Sequence, residues 1–194
     1  MDLILMESPY FTALCRAMHL CSQRPNAVFL GQAVAVKGTT MSATFRDVPP
    51  SMRLEMPVVE DLQMGMATGM ALAGHLPICV FPRWNFMLCA ANQLINHLDR
   101  LPLYSDGAYK PKVIIRVAVP STSPFNPGPQ HDDDFSDAFA FMLRTVKVHK
   151  LRDAESVVPA YEYVLNGQES AIMVEYTDRY RNARASEMPE AEAA

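Results

Sequence analysis

Two residues in this chain of 194 sit where side-chain chemistry is plausible, Glu60 and His131. Glu60 ends a short apolar segment, Pro57-Val58-Val59, and opens a run rich in small residues that continues to Gly74. Val58, Val59, Leu62 and Met64 solvate a carboxylate poorly. Burial disfavours the ionised form, so an acid set there can hold a proton or share one with a nitrogen base. The same residue also reads, with Asp61, as a first-turn helix acid that complements the macrodipole. His131 follows Val119–Gln130, VPSTSPFNPGPQ, which carries four prolines and one glycine. A proline-rich loop that delivers a histidine to the carboxyl end of a sheet suits an active site. An exposed loop histidine with no role is the alternative.

Other candidates are weaker. His131-Asp132-Asp133-Asp134 has the composition of a metal cluster. Adjacent residues converge poorly on one ion, however, and acids before a helix favour its N terminus, so no metal site is assigned. Arg144, Lys147, Lys150 and Arg152 alternate with apolar residues, as on a solvated strand edge. No GxGxxG, GxxxxGK[ST] or GxSxG motif is present, so neither a phosphate cradle nor a nucleophile elbow is written here. The four cysteines (Cys15, Cys21, Cys79 and Cys89) form no CxxC pair, and three lie in apolar patterns. They read as small buried hydrophobes in a reducing compartment, which places the chain in the cytoplasm.

The elements that must position these groups alternate. Ser8-Pro9 starts a helix that runs to about Gln23, with Phe11, Leu14, Cys15, Met18 and Cys21 or Ser22 on one face. Ala27–Leu30 is a short buried strand closed by Gly31, and residues 32–50 form a long loop. A helix spans about Asp61 to Ala73. Gly65, Gly69 and Ala73 recur on one of its faces, either for packing on the domain's own sheet or for contact across a subunit interface. Leu76–Phe81 is a continuous apolar run suited to a central parallel strand. A helix over Asn85–Leu98 should bury Phe86, Cys89, Ala90, Leu94 and Leu98. Strands follow at Val113–Val119, Val146–Val148 and Ala171–Glu175, with helices at Asp134–Arg144 and Ala154–Leu165 between them. The alternation predicts an α/β fold, a parallel sheet with helices on both faces. It occupies residues 1–180 as a single domain, and 181–194 form a polar tail expected to be disordered. The composition, 49% apolar and 20% charged with net charge −4, is that of a globular chain and argues against a nucleic-acid or anionic-membrane surface.

Taken in order, the motifs resemble the pyrimidine-binding domain of transketolase-like thiamine-diphosphate enzymes. They are most similar to the N-terminal half of the β subunit of 2-oxoacid dehydrogenase E1 components. Val28-Phe29-Leu30-Gly31 looks like the family's first strand and turn. Pro57-Val58-Val59-Glu60 looks like the segment ending in its cofactor glutamate, and Gly65 to Ile78 like its small-residue helix and following strand. Phe81–Asn96 looks like its aromatic and amide-rich helix, and Gln130-His131 like the tip of its active-site loop. The resemblance covers about Ala27 to Tyr176. It implies that Glu60 hydrogen-bonds the N1′ nitrogen of the cofactor's aminopyrimidine and promotes loss of the thiazolium C2 proton. It also implies that Phe86, with Trp84 and Cys89, lines the cofactor and that His131 faces the substrate.

Gln32-Ala33, Cys89 and Pro82 depart from the usual E1 β residues, an acidic pair, a long amide and a methionine. The E1 β subunit continues into a further domain where this sequence stops, and the GDG…N signature for magnesium and diphosphate is missing. The resemblance therefore implies half of a site. This chain would be the β-like subunit of an α2β2 heterotetramer whose partner holds Mg²⁺ and the diphosphate. The enzyme would decarboxylate a 2-oxoacid or cleave a ketose and transfer the resulting unit, in a specialised biosynthetic pathway. The alternatives are a catalytically silent assembly or regulatory subunit, and a freestanding α/β small-molecule binding domain.

Overall fold

The computed structural model describes residues 7–36, 39–121 and 127–181. The Ser8 hydroxyl accepts the Phe11 N–H at 3.0 Å and Pro9 takes the first helical position, which starts α1 (Pro9–Ser22) where the sequence places it. Then come β1 (Ala27–Gly31), α2 (Thr40–Ala43), β2 (Arg53–Glu55), α3 (Glu60–Leu72), β3 (Leu76–Phe81) and α4 (Trp84–Met87). The second half runs through α5 (Leu101–Tyr104), β4 (Ile114–Val119), α6 (Ser136–Met142), β5 (Lys147–Lys150), α7 (Ala154–Asn166) and β6 (Ala171–Tyr176). The six strands form one parallel sheet in the order β2-β1-β3-β4-β6-β5. The α/β expectation is met.

Alternate residues along the strands feed two cores. Phe29, Ile78, Val80, Ile114 and Met173 pack with α1 and α7 on one face. Leu30, Cys79, Phe81, Ile115 and Val117 pack on the other with α3, the helical run after β3, and Phe139 of α6. All six residues of β3 are buried, as its unbroken apolar run requires. Of the four cysteines expected inside, Cys15, Cys21 and Cys79 are buried and free, whereas Cys89 is free but exposed.

Differences from expectation have local causes. The segment 32–50 contains α2, held by a reciprocal capping box between Thr39 and Ser42. Helix α6 begins two residues later than expected because Asp134 accepts the Ser136 N–H at 2.9 Å and so stands outside it. The helix expected over 85–98 begins at Trp84, tightens to a 3₁₀ turn at Leu88–Ala90 and widens to a π turn over Gln93–Leu98. Its buried stripe is Trp84, Met87, Ala90, Leu94 and Leu98. Phe86 is half-buried and Cys89 exposed, so the expected apolar face is wrong at its first two positions. The indole of Trp84 takes the core instead, 5.1 Å from Phe139.

At the two ends, Glu7 and Arg181 form an antiparallel bridge. The expected tail lies, apart from Arg181, outside the described residues. No described helix is long and apolar enough to cross a membrane.

Candidate active site

A parallel sheet places the carboxyl ends of its strands along one edge, where side chains from successive loops can meet. Here that edge collects Gln32 after β1, Phe86 after β3 and His131 after β4. Glu60 joins them from the first residue of α3. It is 8% exposed, and its Oε1 accepts the side-chain amide of Gln32 at 3.0 Å. Its apolar sequence neighbours do not bury it. Val58, Val59 and Leu62 are 75%, 41% and 50% exposed and make an apolar rim beside the acid. Glu60 and Asp61 do occupy the first helical turn, as the simpler reading of the sequence has it.

The support beneath Glu60 is polar and buried. Gln63, one turn on, is fully buried and donates to the Val80 carbonyl at 2.9 Å and to Cys79 Sγ at 3.3 Å. Burial pushes the Cys79 thiol up to about 12, opposed by that hydrogen bond. Gly31 lies between these groups with φ +143°, and a Cβ there would collide with the Val80 carbonyl, so the close approach of β1 to β3 requires glycine. The chain then turns through Gln32 and through Ala33, whose φ is +58°. Glu55, at the end of β2, accepts the N–H groups of Ala33, Val34, Ala35 and Val36 at 2.8, 2.9, 2.7 and 3.1 Å. Burial would raise its carboxyl, but the four N–H donors outweigh that and hold it below the usual range.

Phe86 and His131, 45 positions apart in the chain, meet edge to face with centroids 5.5 Å apart. The His131 N–H donates to the Gly128 carbonyl at 2.9 Å, while its Nδ1 is buried without a hydrogen-bond partner among the described residues. Asn85 donates to Asp133 at 2.8 Å, which ties the His131 loop to the start of α4. Asp134 accepts from the Ser136 N–H and, at 3.4 Å, from the Tyr176 hydroxyl. The acids of the His-Asp-Asp-Asp run thus diverge to separate partners. Among the described residues no group of three or more metal-ligating side chains converges.

Of the five residues assigned to the site, Glu60, Phe86 and His131 are at this edge. Cys89 is exposed one turn beyond Phe86. Trp84 is corrected: it is wholly buried against Phe139 and presents no surface to a ligand. Of the cationic set, Lys147 and Lys150 lie on the edge strand β5, where Lys150 pairs with Asp137 at 2.7 Å, and Arg144 and Arg152 flank it.

Sequence reasoning missed Gln32, Glu55 and Asn85, whose partners are 28, 19 to 22 and 48 residues away. It also missed a fully buried ion pair between Arg116 of β4 and Glu175 of β6. Arg116 also donates to Thr44 at 3.0 Å and lies 4.9 Å over the Phe45 ring, and Glu175 accepts the Tyr180 hydroxyl. Burial would lower the Arg116 pKa, and the Glu175 carboxylate overrides this and raises it. The available signal was one charge inside each of two otherwise apolar strands.

The chain has the α/β fold of transketolase-like thiamine-diphosphate enzymes, and its sequence is similar to the N-terminal half of pyruvate dehydrogenase E1 β. No family model matches it. The mitochondrial pyruvate dehydrogenase E1 component subunit beta of Caenorhabditis elegans is 30% identical over 109 residues, 55% of this chain and 30% of that one. The subunit of Chaetosphaeridium globosum is 33% identical over 116 residues, 58% of this chain and 36% of its own length. The chain spans about a third of the length of these curated relatives. Among solved structures, a split-gene transketolase described as an inactive β4 tetramer superposes with TM-score 0.66 at 17% identity, over 94% of this chain and 53% of that one. The transketolase of Campylobacter jejuni superposes with TM-score 0.69 at 11% identity, over 90% and 26%.

Proposed function

We propose that this chain is the pyrimidine-binding, β-like subunit of a split thiamine-diphosphate-dependent enzyme. The observation that carries the reading is Glu60 itself. It is a nearly buried carboxylate at the start of α3, at the same sheet edge as the Phe86–His131 contact, with one oxygen held by Gln32 and the other without a protein partner among the described residues. That donor set fits an aminopyrimidine. A carboxyl that carries or shares a proton can donate to a ring nitrogen, and a half-buried phenyl ring suits an aromatic face. The sequence supplies no motif for a diphosphate, so a partner chain is assigned the Mg²⁺ and the anionic end of the cofactor.

When bound, thiamine diphosphate supplies the carbanion chemistry. Glu60 would hold the pyrimidine nitrogen through the oxygen that Gln32 leaves free and would move a proton there. Phe86 would pack on the pyrimidine ring, and Cys89 would border it. His131, whose buried Nδ1 is unpartnered, faces the substrate and transfers a proton. The reaction proposed is decarboxylation of a 2-oxoacid or cleavage of a ketose with transfer of the resulting unit, in a specialised pathway. Four free thiols fit a reducing compartment, here the cytoplasm.

The partner would seat on α3. The rim of Val58, Val59 and Leu62 continues into Gly69 and Leu72, which are also exposed, and nothing lies within 4 Å of a Cβ built on Gly69. This favours the interface reading of the small-residue face over packing on the domain's own sheet. An α2β2 assembly follows if two such pairs associate about a twofold axis. Titration of thiamine diphosphate and Mg²⁺ into the isolated chain, and into the chain mixed with its partner, tests the reading. Tight binding is expected only in the mixture. Tight binding by the isolated chain, or none by either, would overturn it.

A further inference from the structure

Gln32 touches the carboxylate on which the proposed function depends, and Glu55 fixes the backbone that follows Gln32. Gln32 donates its amide to Glu60 Oε1 at 3.0 Å. It stands between Gly31 and Ala33, both at positive φ, in a turn that a free chain would rarely hold. Four successive N–H groups just beyond it converge on Glu55. The Met56 N–H donates to the Gly31 carbonyl at 2.9 Å, closing the other side of the turn. The backbone on either side of Gln32 is therefore fixed before its side chain makes any contact.

Resting on the proposed role of Glu60, we infer that Gln32 is its positioning residue and that Glu55 in turn holds Gln32. An amide donor occupies one carboxylate oxygen and fixes the plane of the group, leaving the second oxygen for a ligand. A glutamine does this in a way that a glutamate cannot, because two carboxylates at 3 Å would have to share a proton. A leucine of similar volume would fill the space and leave the carboxylate free to rotate.

An exchange of the two side chains tests the pair. Gln32→Glu alone should lower the thermal stability of the chain at neutral pH more than Gln32→Leu does, and the deficit should shrink as the pH falls. Adding Glu60→Gln to Gln32→Glu restores an amide facing a carboxylate with the roles reversed, and stability should return to near the wild-type value. In the assembled enzyme at saturating cofactor, Gln32→Leu should lower kcat about tenfold or more. The exchanged chain should stay inactive, since its acid now sits at position 32. The proposal is overturned if the exchange recovers no stability, or if Gln32→Leu has wild-type kcat. Recovery of stability together with activity in the exchanged chain would uphold the pair and overturn Glu60 as the cofactor acid.

Discussion

Glu60→Gln is the sharpest change at the scale of single residues. It keeps the size and a hydrogen-bonding end but cannot relay a proton, so most turnover should vanish while folding and association persist. Near-wild-type rates in the assembled enzyme would show that the acid lies elsewhere. His131→Ala should act differently. Its ring meets Phe86 and its Nδ1 is buried and unpartnered, and its place in the reading is beside the substrate. Turnover should fall with cofactor affinity almost unchanged, and titration calorimetry would expose a loss of affinity as large as the loss of rate. The placement of both residues at the sheet edge was legible in the sequence because each ends a recognisable local pattern, an apolar segment before a helix in one case and a proline-rich loop in the other. Gln32 was not. Its meaning depends on a carboxylate 28 positions away, and nothing in its own neighbourhood points there. Trp84 was misjudged because an aromatic beside Phe86 looks the same in sequence whether it faces a ligand or the core.

Among the secondary-structure elements, the long periodic ones were readable and the short ones were not. β3 and α1 match expectation because an apolar run and a Ser-Pro start each favour one conformation. β2, three residues long, has no periodicity to read, and its role lies in where it sets Glu55. The winding change over 84–98 is equally hidden, since a fixed period of 3.6 assigns the wrong face once the turn tightens and then widens. Two predictions belong here. The Glu55 carboxyl is depressed in the folded chain, so its contribution is fully present above the ordinary carboxylate value of about 4.3 and is lost as the pH falls through the lowered value. Backbone amides 33–36 should then exchange with deuterium faster, and unchanged protection at low pH would contradict the clamp. The Arg116–Glu175 pair joins β4 to β6 with no exposure on either side chain. Glu175→Gln should destabilise by about 3–5 kcal/mol because it strands a buried cation, whereas Arg116→Met with Glu175→Leu should lie much closer to wild type. Urea unfolding of the three chains decides this.

The whole molecule is asymmetric. Elements on the second face of the sheet carry exposed Leu62, Leu72, Leu88, Leu103 and Phe141, the last 92% exposed. The layer of α1 and α7 exposes only Tyr163 among its large apolar side chains. Such a one-sided apolar surface marks an interaction face. Gly69→Leu separates folding from association on that face. The position is open and leucine is the better helix former, so the isolated chain should gain up to about 1 kcal/mol. Association with the partner should fail, and light scattering of the mixture would show it. An assembly of unchanged mass would move the interface away from α3. The fold class was readable from the alternation of elements, whereas this asymmetry was not, because exposure is settled only when both helical layers are in place.

The Glu7–Arg181 bridge brings the first and last described residues side by side, and the Ser8 hydroxyl reinforces it by donating to the Arg179 carbonyl at 2.5 Å. Chain order is therefore separable from architecture. Joining Arg181 to Glu7 through a short linker and opening the turn at Asp106-Gly107 would give a circular permutant whose first strand is β4. It should fold to the same sheet, with a circular dichroism spectrum and cooperative melt like those of the original.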